Sequence, residues 1–391
     1  MRKIFSKSSF FFIVILGFCI LIYLLILRQK FLSENLENPE EIMLNGIKLA
    51  DLKIGPVDMP PLDHRQTVQL SMFTVKTRRG IGQILFELAA LFGISRKLGR
   101  VPVLNRLQEP LIGETMGKMI SGGFPLFAAN FEERDVEPSS VFPVNLNIRF
   151  CCKYEDPTVL KAVFEQNLLI NGVYFQSFKY FDDYRSQIRA ALTPHPSSAI
   201  RAELLIPEEF RKDFLICVHT KQTQLGDPKL SSPSDPFFTR SATDYLVQKY
   251  KSSGKQVTVA ILGNDPIWAQ NLFHDKIGKS NYFSKFNNSS DAIFSKNSPE
   301  YTALLTLGMS PTDDVAFSRN FCDVIMLSAP TSSFGWWLAY LAKESAEIYY
   351  RDPKEVSDQI FAEMRQIDYY SNSWNKLRSA QLQKTFPENI D

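Results

Sequence analysis

Phe214-Leu215-Ile216-Cys217-Val218 is a continuous apolar run that ends on His219. A strand with no polar alternation is covered on both faces, and such strands belong to parallel sheets flanked by helices. The pattern returns twice downstream. Val257-Thr258-Val259-Ala260-Ile261-Leu262 leads into Gly263-Asn264-Asp265, and Val324-Ile325-Met326-Leu327-Ser328 leads into Ala329-Pro330-Thr331-Ser332-Ser333. An aromatic helix from Phe334 to Leu341 follows, and Ala346-Glu347-Ile348-Tyr349-Tyr350 reads as a last short strand. In an open parallel sheet, ligands bind outside the carboxyl ends of the strands, so the loops at His219, Asn264-Asp265 and Ser332-Ser333 are the candidate site.

Working outward, an earlier unit has the same grammar. Val68, Leu70, Met72 and Thr74 alternate with Gln69, Ser71 and Phe73 as in a strand. The basic turn Arg78-Arg79-Gly80-Ile81-Gly82 follows, and then Ile84, Leu85, Leu88, Ala89 and Phe92 recur at helical spacing before a second strand, Val101-Pro102-Val103-Leu104. Strand, glycine turn, helix and strand indicate a parallel sheet. The expected fold class is α/β, with two Rossmann-like halves around a cleft, residues 67–205 and 206–391.

Residues 28–66 alternate acidic, Pro-containing and weakly apolar segments without sustained periodicity and read as a stem. Before them, Phe10 to Leu27 carries no charge, and all but Gly17, Cys19 and Tyr23 are Phe, Ile, Leu or Val. That length and apolarity suit a membrane-spanning helix. A cleaved signal peptide is the competing reading, but no small-x-small site follows Leu27, where the chain continues Arg28-Gln29-Lys30. The acidic residues Glu34, Glu37, Glu40 and Glu41 favour a cytoplasmic tail at residues 1–9 and a lumenal remainder.

Charge is nearly balanced, with 44 basic and 42 acidic residues, so nothing points to a nucleic-acid partner. Outside the anchor the cysteines are Cys151, Cys152, Cys217 and Cys322, too few for a disulfide scaffold. One or two bridges and buried free thiols both remain open. Asn287-Asn288-Ser289-Ser290 holds two overlapping glycosylation sequons, at Asn287 and Asn288.

Four segments resemble the α-1,2-fucosyltransferases of glycosyltransferase family 11, in particular divergent nematode members. They are Gly80-Ile81-Gly82-Gln83-Ile84-Leu85-Phe86, Gly172-Val173-Tyr174-Phe175-Gln176-Ser177-Phe178-Lys179-Tyr180-Phe181, Val218-His219, and Thr331-Ser332-Ser333-Phe334-Gly335-Trp336-Trp337. The resemblance spans residues about 68 to 350 and implies a GT-B fold, a GDP-fucose donor, a β-galactoside glycan acceptor, inversion at the anomeric carbon, no cofactor and no metal. It also implies a single-pass type II protein of the Golgi membrane. The chain has no Asp-x-Asp triplet, so diphosphate charge falls to cations, hydroxyls and main-chain amides.

The matched segments assign Gly80, Gly82, Gln83, Ser332, Ser333 and Phe334 to the donor side, Gln176 to the acceptor side, and His219 with Lys221 to catalysis. Ser332 and Ser333 suit phosphate at a helix N-terminus, or a plain N-cap. His219 suits a phosphate or fucose hydroxyl, or a structural role. Asp314, beside Asp313, suits the guanine edge or a helix first turn, and Asn264, Asp265 and Arg240 are further donor candidates. One departure is evident: where the family has two arginines followed by Gly-Asp, this chain reads Lys221-Gln222. Lysine lacks the bidentate geometry of arginine, and losing one charged hydrogen bond of about 1.5 to 3 kcal/mol slows turnover roughly 10- to 150-fold. Gly226-Asp227 stands where a displaced remnant of the missing pair would fall. A second reading therefore stands beside the enzyme: a catalytically impaired lumenal glycan-binding relative.

Overall fold

A computed structural model describes residues 62–72, 80–107, 120–146, 151–222, 231–276, 300–306 and 309–385, with a short ladder between β1 (Met43–Leu44) and β2 (Ile47–Lys48). The expected anchor at 10–27, the sequons at Asn287 and Asn288, and Gly226-Asp227 lie outside the described residues. No helix among the described residues is long and apolar enough to cross a membrane. Asp58–Asp391 forms one compact unit.

That unit holds two parallel sheets. The first has strand order β5-β4-β3-β7-β6, from β3 (Asp63–Leu70), β4 (Arg100–Asn105), β5 (Glu132–Arg134), β6 (Val141–Asn145) and β7 (Asn167–Asn171). Every pairing in it is parallel. β3 starts at Asp63, inside the segment read as stem, because Asp63 pairs with Arg100 ahead of a bulge. Helix α1 (Ile81–Leu98) follows it and is buried from Ile81 to Ser95. A helix apolar all round needs cover on every side.

The second sheet has order β10-β9-β8-β11-β12-β13, from β8 (Phe214–Thr220), β9 (Val257–Gly263), β10 (Thr302–Leu305), β11 (Val324–Leu327), β12 (Glu347–Arg351) and β13 (Asn375–Leu377). Renumbered within the sheet, this is the 3-2-1-4-5-6 order of the doubly wound dinucleotide fold. Alternate residues of the same strands enter different cores. Cys217, Ala260, Leu262, Ile325 and Leu327 face one cluster, whereas Ile216, Val218, Val259, Ile261 and Met326 face the other. Burial on both sides is the reason these strands read as unbroken apolar runs.

The helices that serve the site are α2 (Pro196–Leu204), α3 (Pro236–Ser252), α4 (Pro266–Leu272), α5 (Pro311–Phe321) and α6 (Ser333–Leu341). The core that lies between the sheets draws on both. Phe86 of α1 lies 4.6 Å from Trp336 and 5.1 Å from Trp337 between ring centres, and Phe181 stacks on Trp337 at 5.6 Å. The chain then returns to the first sheet. Tyr369 contacts Phe86, and its carbonyl accepts the Trp336 indole N–H at 2.6 Å. A disulfide joins Cys217 of β8 to Cys322, just past α5.

Candidate functional site

β8 and β11 are neighbours, with His219 paired to Leu327, yet the chain leaves them in opposite directions. The loops after them must therefore diverge, and the gap between their carboxyl ends is the switch point where doubly wound sheets hold ligands. His219, Lys221 and Gln222 stand on one lip. Thr331, Ser332 and Ser333 stand on the other, where α6 begins. The Ser332 hydroxyl caps α6 by accepting the Gly335 N–H at 3.2 Å, while Ser333 and Phe334 are half-buried at its first turn. Main-chain N–H groups at such a turn attract an anion.

The glycine turn of the first sheet meets the same place. A Cβ on Gly82 would stand 2.5 Å from the Phe334 nitrogen, so only glycine lets α1 and α6 approach this closely. The Trp337 indole donates to the Gly82 carbonyl at 2.9 Å, fixing the junction. Gly80 is the N-cap of α1, and the main-chain N–H of Gln83, largely buried, donates to the Gly80 carbonyl.

His219 is 3% exposed and its Nδ1 has no hydrogen-bond partner. The ring lies against Gly335, where a Cβ would come within 2.6 Å of Nδ1. Burial, with the Lys221 charge adding to it, pushes the imidazole from 6.5 down to about 3. His219 is thus a neutral ring at physiological pH. The Lys221 ammonium is pulled down by burial and held up by Asp358.

Asp358 has no counterpart among the residues the sequence nominates. It is 5% exposed, and its Oδ2 accepts both the Ser232 N–H at 2.8 Å and the Thr331 hydroxyl at 2.7 Å. Its Oδ1 caps the Gln359–Glu363 helix through the Phe361 N–H. An aspartate two residues after a valine and just before Gln359-Ile360-Phe361 is legible as an N-cap, but its reach to Thr331 is not.

Other nominated residues take different posts. Asn264 clamps the β8 loop: its Oδ1 accepts the Gln222 N–H at 2.8 Å, and its Nδ2 donates to the Gln222 carbonyl at 2.9 Å. Asp265 caps α4 through the Trp268 N–H. Arg240 lies on α3 rather than on a loop, and its guanidinium is taken up by Asp275, Asp244 and the Leu272 carbonyl. Burial opposes the charge, but these carboxylates raise its pKa. Arg240 therefore does not serve the crevice, because its donors are already satisfied.

Asp313 joins Ser310 in a capping box and pairs with Arg201 of α2 at 2.7 Å. Asp314 beside it is the more exposed to need: its Oδ1 is buried without a partner, and burial, then the Asp313 charge, raises its pKa well above the usual carboxylate range. α5 starts just past the end of β10, on the same edge of the sheet as the crevice.

Gln176 is 1% exposed, its Oε1 lies 3.7 Å from the sulfurs of both Cys151 and Cys152, and its Nε2 is unpartnered. Its neighbours Tyr174 and Phe175 have φ of 59° and 48°, so this motif is a turn with left-handed backbone. The rest of the motif grips the returning chain. Ser177 donates to the Asp368 carbonyl at 2.6 Å, and Lys179 pairs with the Asp368 carboxylate at 2.7 Å. Among the described residues no group of three or more His, Cys, Asp or Glu is placed to hold a metal ion.

Sheet order and crevice together define a doubly wound α/β protein whose candidate ligand site is the crevice between β8 and β11. No family model matches the chain. It is 42% identical over 318 residues to a galactoside 2-alpha-L-fucosyltransferase of Caenorhabditis elegans, covering 81% of this chain and 79% of that one. A second C. elegans protein of that name is 26% identical over 316 residues, covering 81% and 82%. A crystal structure of POFUT1 in complex with GDP covers 74% of this chain and 99% of its own, with 10% identity and a TM-score of 0.42. The chain belongs to the galactoside 2-alpha-L-fucosyltransferase family, as its four motifs imply, and is a glycosyltransferase.

Proposed function

We propose that this chain transfers fucose from GDP-fucose to the 2-hydroxyl of a terminal galactose, with inversion, in a GT-B arrangement whose donor site is the β8–β11 crevice. The observation that carries the reading is the meeting, at one switch point, of three of the four family motifs: Gly82 at the start of α1, His219 with Lys221 after β8, and Ser332-Ser333-Phe334 at the start of α6.

In this reading the galactose hydroxyl attacks the anomeric carbon from the face opposite the departing diphosphate. The C1–O bond breaks, its electron pair goes to the diphosphate oxygen, and the proton of the attacking hydroxyl passes to solvent water. Lys221, the first-turn amides of α6 and the Ser333 hydroxyl meet the charge that develops there, the form of stabilisation that contributes most in a shielded site. His219 is uncharged at neutral pH and is too weak a base to take a proton from the acceptor. Its part is to shape the crevice against Gly335. Asp314, with an unpartnered oxygen at the β10 edge, is the candidate for the guanine N–H donors.

We also propose a type II placement in the Golgi membrane, with Phe10 to Leu27 as anchor, residues 28–57 within the stem, and a lumenal catalytic unit glycosylated at Asn287 or Asn288. The supporting features are the apolar run and the sequons. Purified protein given GDP-fucose and a β-galactoside acceptor should release GDP and form an α-1,2 linkage identifiable by NMR. No GDP release above background, with Lys221→Arg/Gln222→Arg restoring none, would sink the reading.

A further inference from the structure

We propose that Asp358 is the positioning residue that holds the two lips of the crevice together and, through them, sets Lys221 for the departing diphosphate. The assignment rests on the donor site proposed above.

The geometry runs in one connected path. Lys221 donates its main-chain N–H to the Ser234 hydroxyl at 3.0 Å and accepts the Ser234 N–H on its carbonyl at 2.8 Å. The Gln222 side chain adds a bond to the Ser234 carbonyl at 3.2 Å. The stretch 231–234 is therefore the bed on which Lys221 lies, and Asp358 holds that bed by the Ser232 N–H. On the opposite lip the same Oδ2 accepts the Thr331 hydroxyl, whose oxygen in turn receives the Ser231 hydroxyl at 3.1 Å. One buried carboxylate thus ties the bed of Lys221 to the residue that precedes the Ser332 cap of α6. Charge-assisted bonds of this kind are about twice as strong as neutral ones, which suits a fixed geometry.

Asp358 has an electrostatic part as well. Among the described residues, the charge that acts on Lys221 is that of Asp358, from the segment before Gln359–Glu363, while His219, two residues earlier on β8, feels the Lys221 charge. His219 is neutral, so Asp358 is the counter-charge that favours a protonated Lys221 in its buried setting. An arginine would need no such help. Asp358 thus supplies what a lysine at this position needs and an arginine would not.

The test uses the full chain in detergent. Transfer rate and GDP affinity are measured between about pH 6 and pH 10 for wild type, Asp358→Asn, Thr331→Val, Lys221→Arg and Lys221→Arg/Asp358→Asn, each checked for a cooperative melt. Asp358→Asn should lower kcat/KM about 10- to 100-fold and move its alkaline limb to lower pH, because Lys221 loses the charge that keeps it protonated. Thr331→Val should lower kcat about tenfold without moving the limb. In the Lys221→Arg background, Asp358→Asn should move no limb.

An alkaline limb in the same place for wild type and Asp358→Asn overturns the proposal, as does the same shift in the arginine background. So does GDP binding that tightens in Asp358→Asn with kcat unchanged, which simple removal of a negative charge would produce. A wild type that binds GDP but transfers nothing overturns the proposed activity alone, and the same pH comparison is then read from GDP affinity. A wild type that binds no GDP overturns both.

Discussion

Replacing Gly82 by alanine gives a sharp test of the α1–α6 junction, because two opposing effects are both calculable. Alanine is favoured over glycine inside a helix by about 1 kcal/mol, so propensity alone makes Gly82→Ala stabilising. The new Cβ, however, would stand 2.5 Å from the Phe334 nitrogen, 2.7 Å from the Ser333 carbonyl carbon and 2.8 Å from the Phe334 Cα. All three are main-chain atoms, so no rotamer change relieves them, and the two helices must part by about 1 Å to reach ordinary contact. Overpacking of this sort costs about 1 to 3 kcal/mol. Stretching the bond from the Trp337 indole to the Gly82 carbonyl adds about 1 kcal/mol. The clash wins, and the net loss is about 1 to 3 kcal/mol. A displacement near 1 Å at the first turn of α6 should also cost about 100-fold in transfer rate. Gly80→Ala is the control within the same motif: nothing lies within 4 Å of its would-be Cβ, and its φ of −69° and ψ of 158° suit any residue. It should cost less than about 1 kcal/mol, through the weaker N-cap. Guanidinium unfolding followed by tryptophan fluorescence, with Trp336 and Trp337 at the junction, measures the stability term, and GDP release measures the second. If Gly82→Ala matches Gly80→Ala in both assays, the close approach of the two helices is wrong.

Other expectations follow from single groups. Folding lowers the His219 pKa from 6.5 to about 3, so the unfolded chain takes up a proton that the folded chain refuses. Stability should fall as pH drops through that window, by about 1.4 kcal/mol per pH unit from this group, and His219→Gln should flatten that slope in denaturant midpoints measured from neutral to acid pH. Asp314 has the opposite sign, since its folded pKa is raised and its contribution is lost as pH rises through that value. Asp314→Asn should therefore melt higher than wild type at neutral pH, with the gain vanishing in acid, while GDP binding by calorimetry weakens about tenfold. An unchanged melting temperature would refute the buried charge. The Cys217–Cys322 bridge closes a separation of 105 residues, and Cys322→Ser should cost roughly 2 to 5 kcal/mol. Reductant should bring wild type down to the variant, and a variant as stable as oxidised wild type would count against the bridge.

The second sheet was legible because its central strands are buried on both faces and so carry no alternation to be misread. The first was legible only at β3 and β4. β6 contains Pro143 and is largely exposed, as an edge strand tolerates, and β5 is three residues long; neither leaves a periodic trace. Two strands of the second sheet were missed for the same reason, since Thr302–Leu305 and Asn375–Leu377 are too short to pattern. Within the site, strand ends nominated His219, Ser332 and Ser333, and the family resemblance added Lys221. Partners distant in sequence were not readable. Nothing local to Arg240 tells that Asp275 will take its guanidinium, and nothing local to Asp358 tells that Thr331 will lean on it. Tertiary pairing decides such roles, and one chain read alone carries no record of it.

The core shared between the two sheets sets a schedule for making the protein. α1 is buried over most of its length, and the rings that cover Phe86, among them Trp336, Trp337 and Tyr369, are translated last. At about 5 to 20 residues per second, roughly 200 residues separate completion of the first sheet at Asn171 from completion of its cover at Tyr369, an interval of about 10 to 40 s. During that time the nascent chain presents an apolar helix with one side uncovered. Its synthesis should depend on a chaperone that holds α1, and a stop codon placed before Asp368 should yield a chain that is degraded rather than one merely shortened.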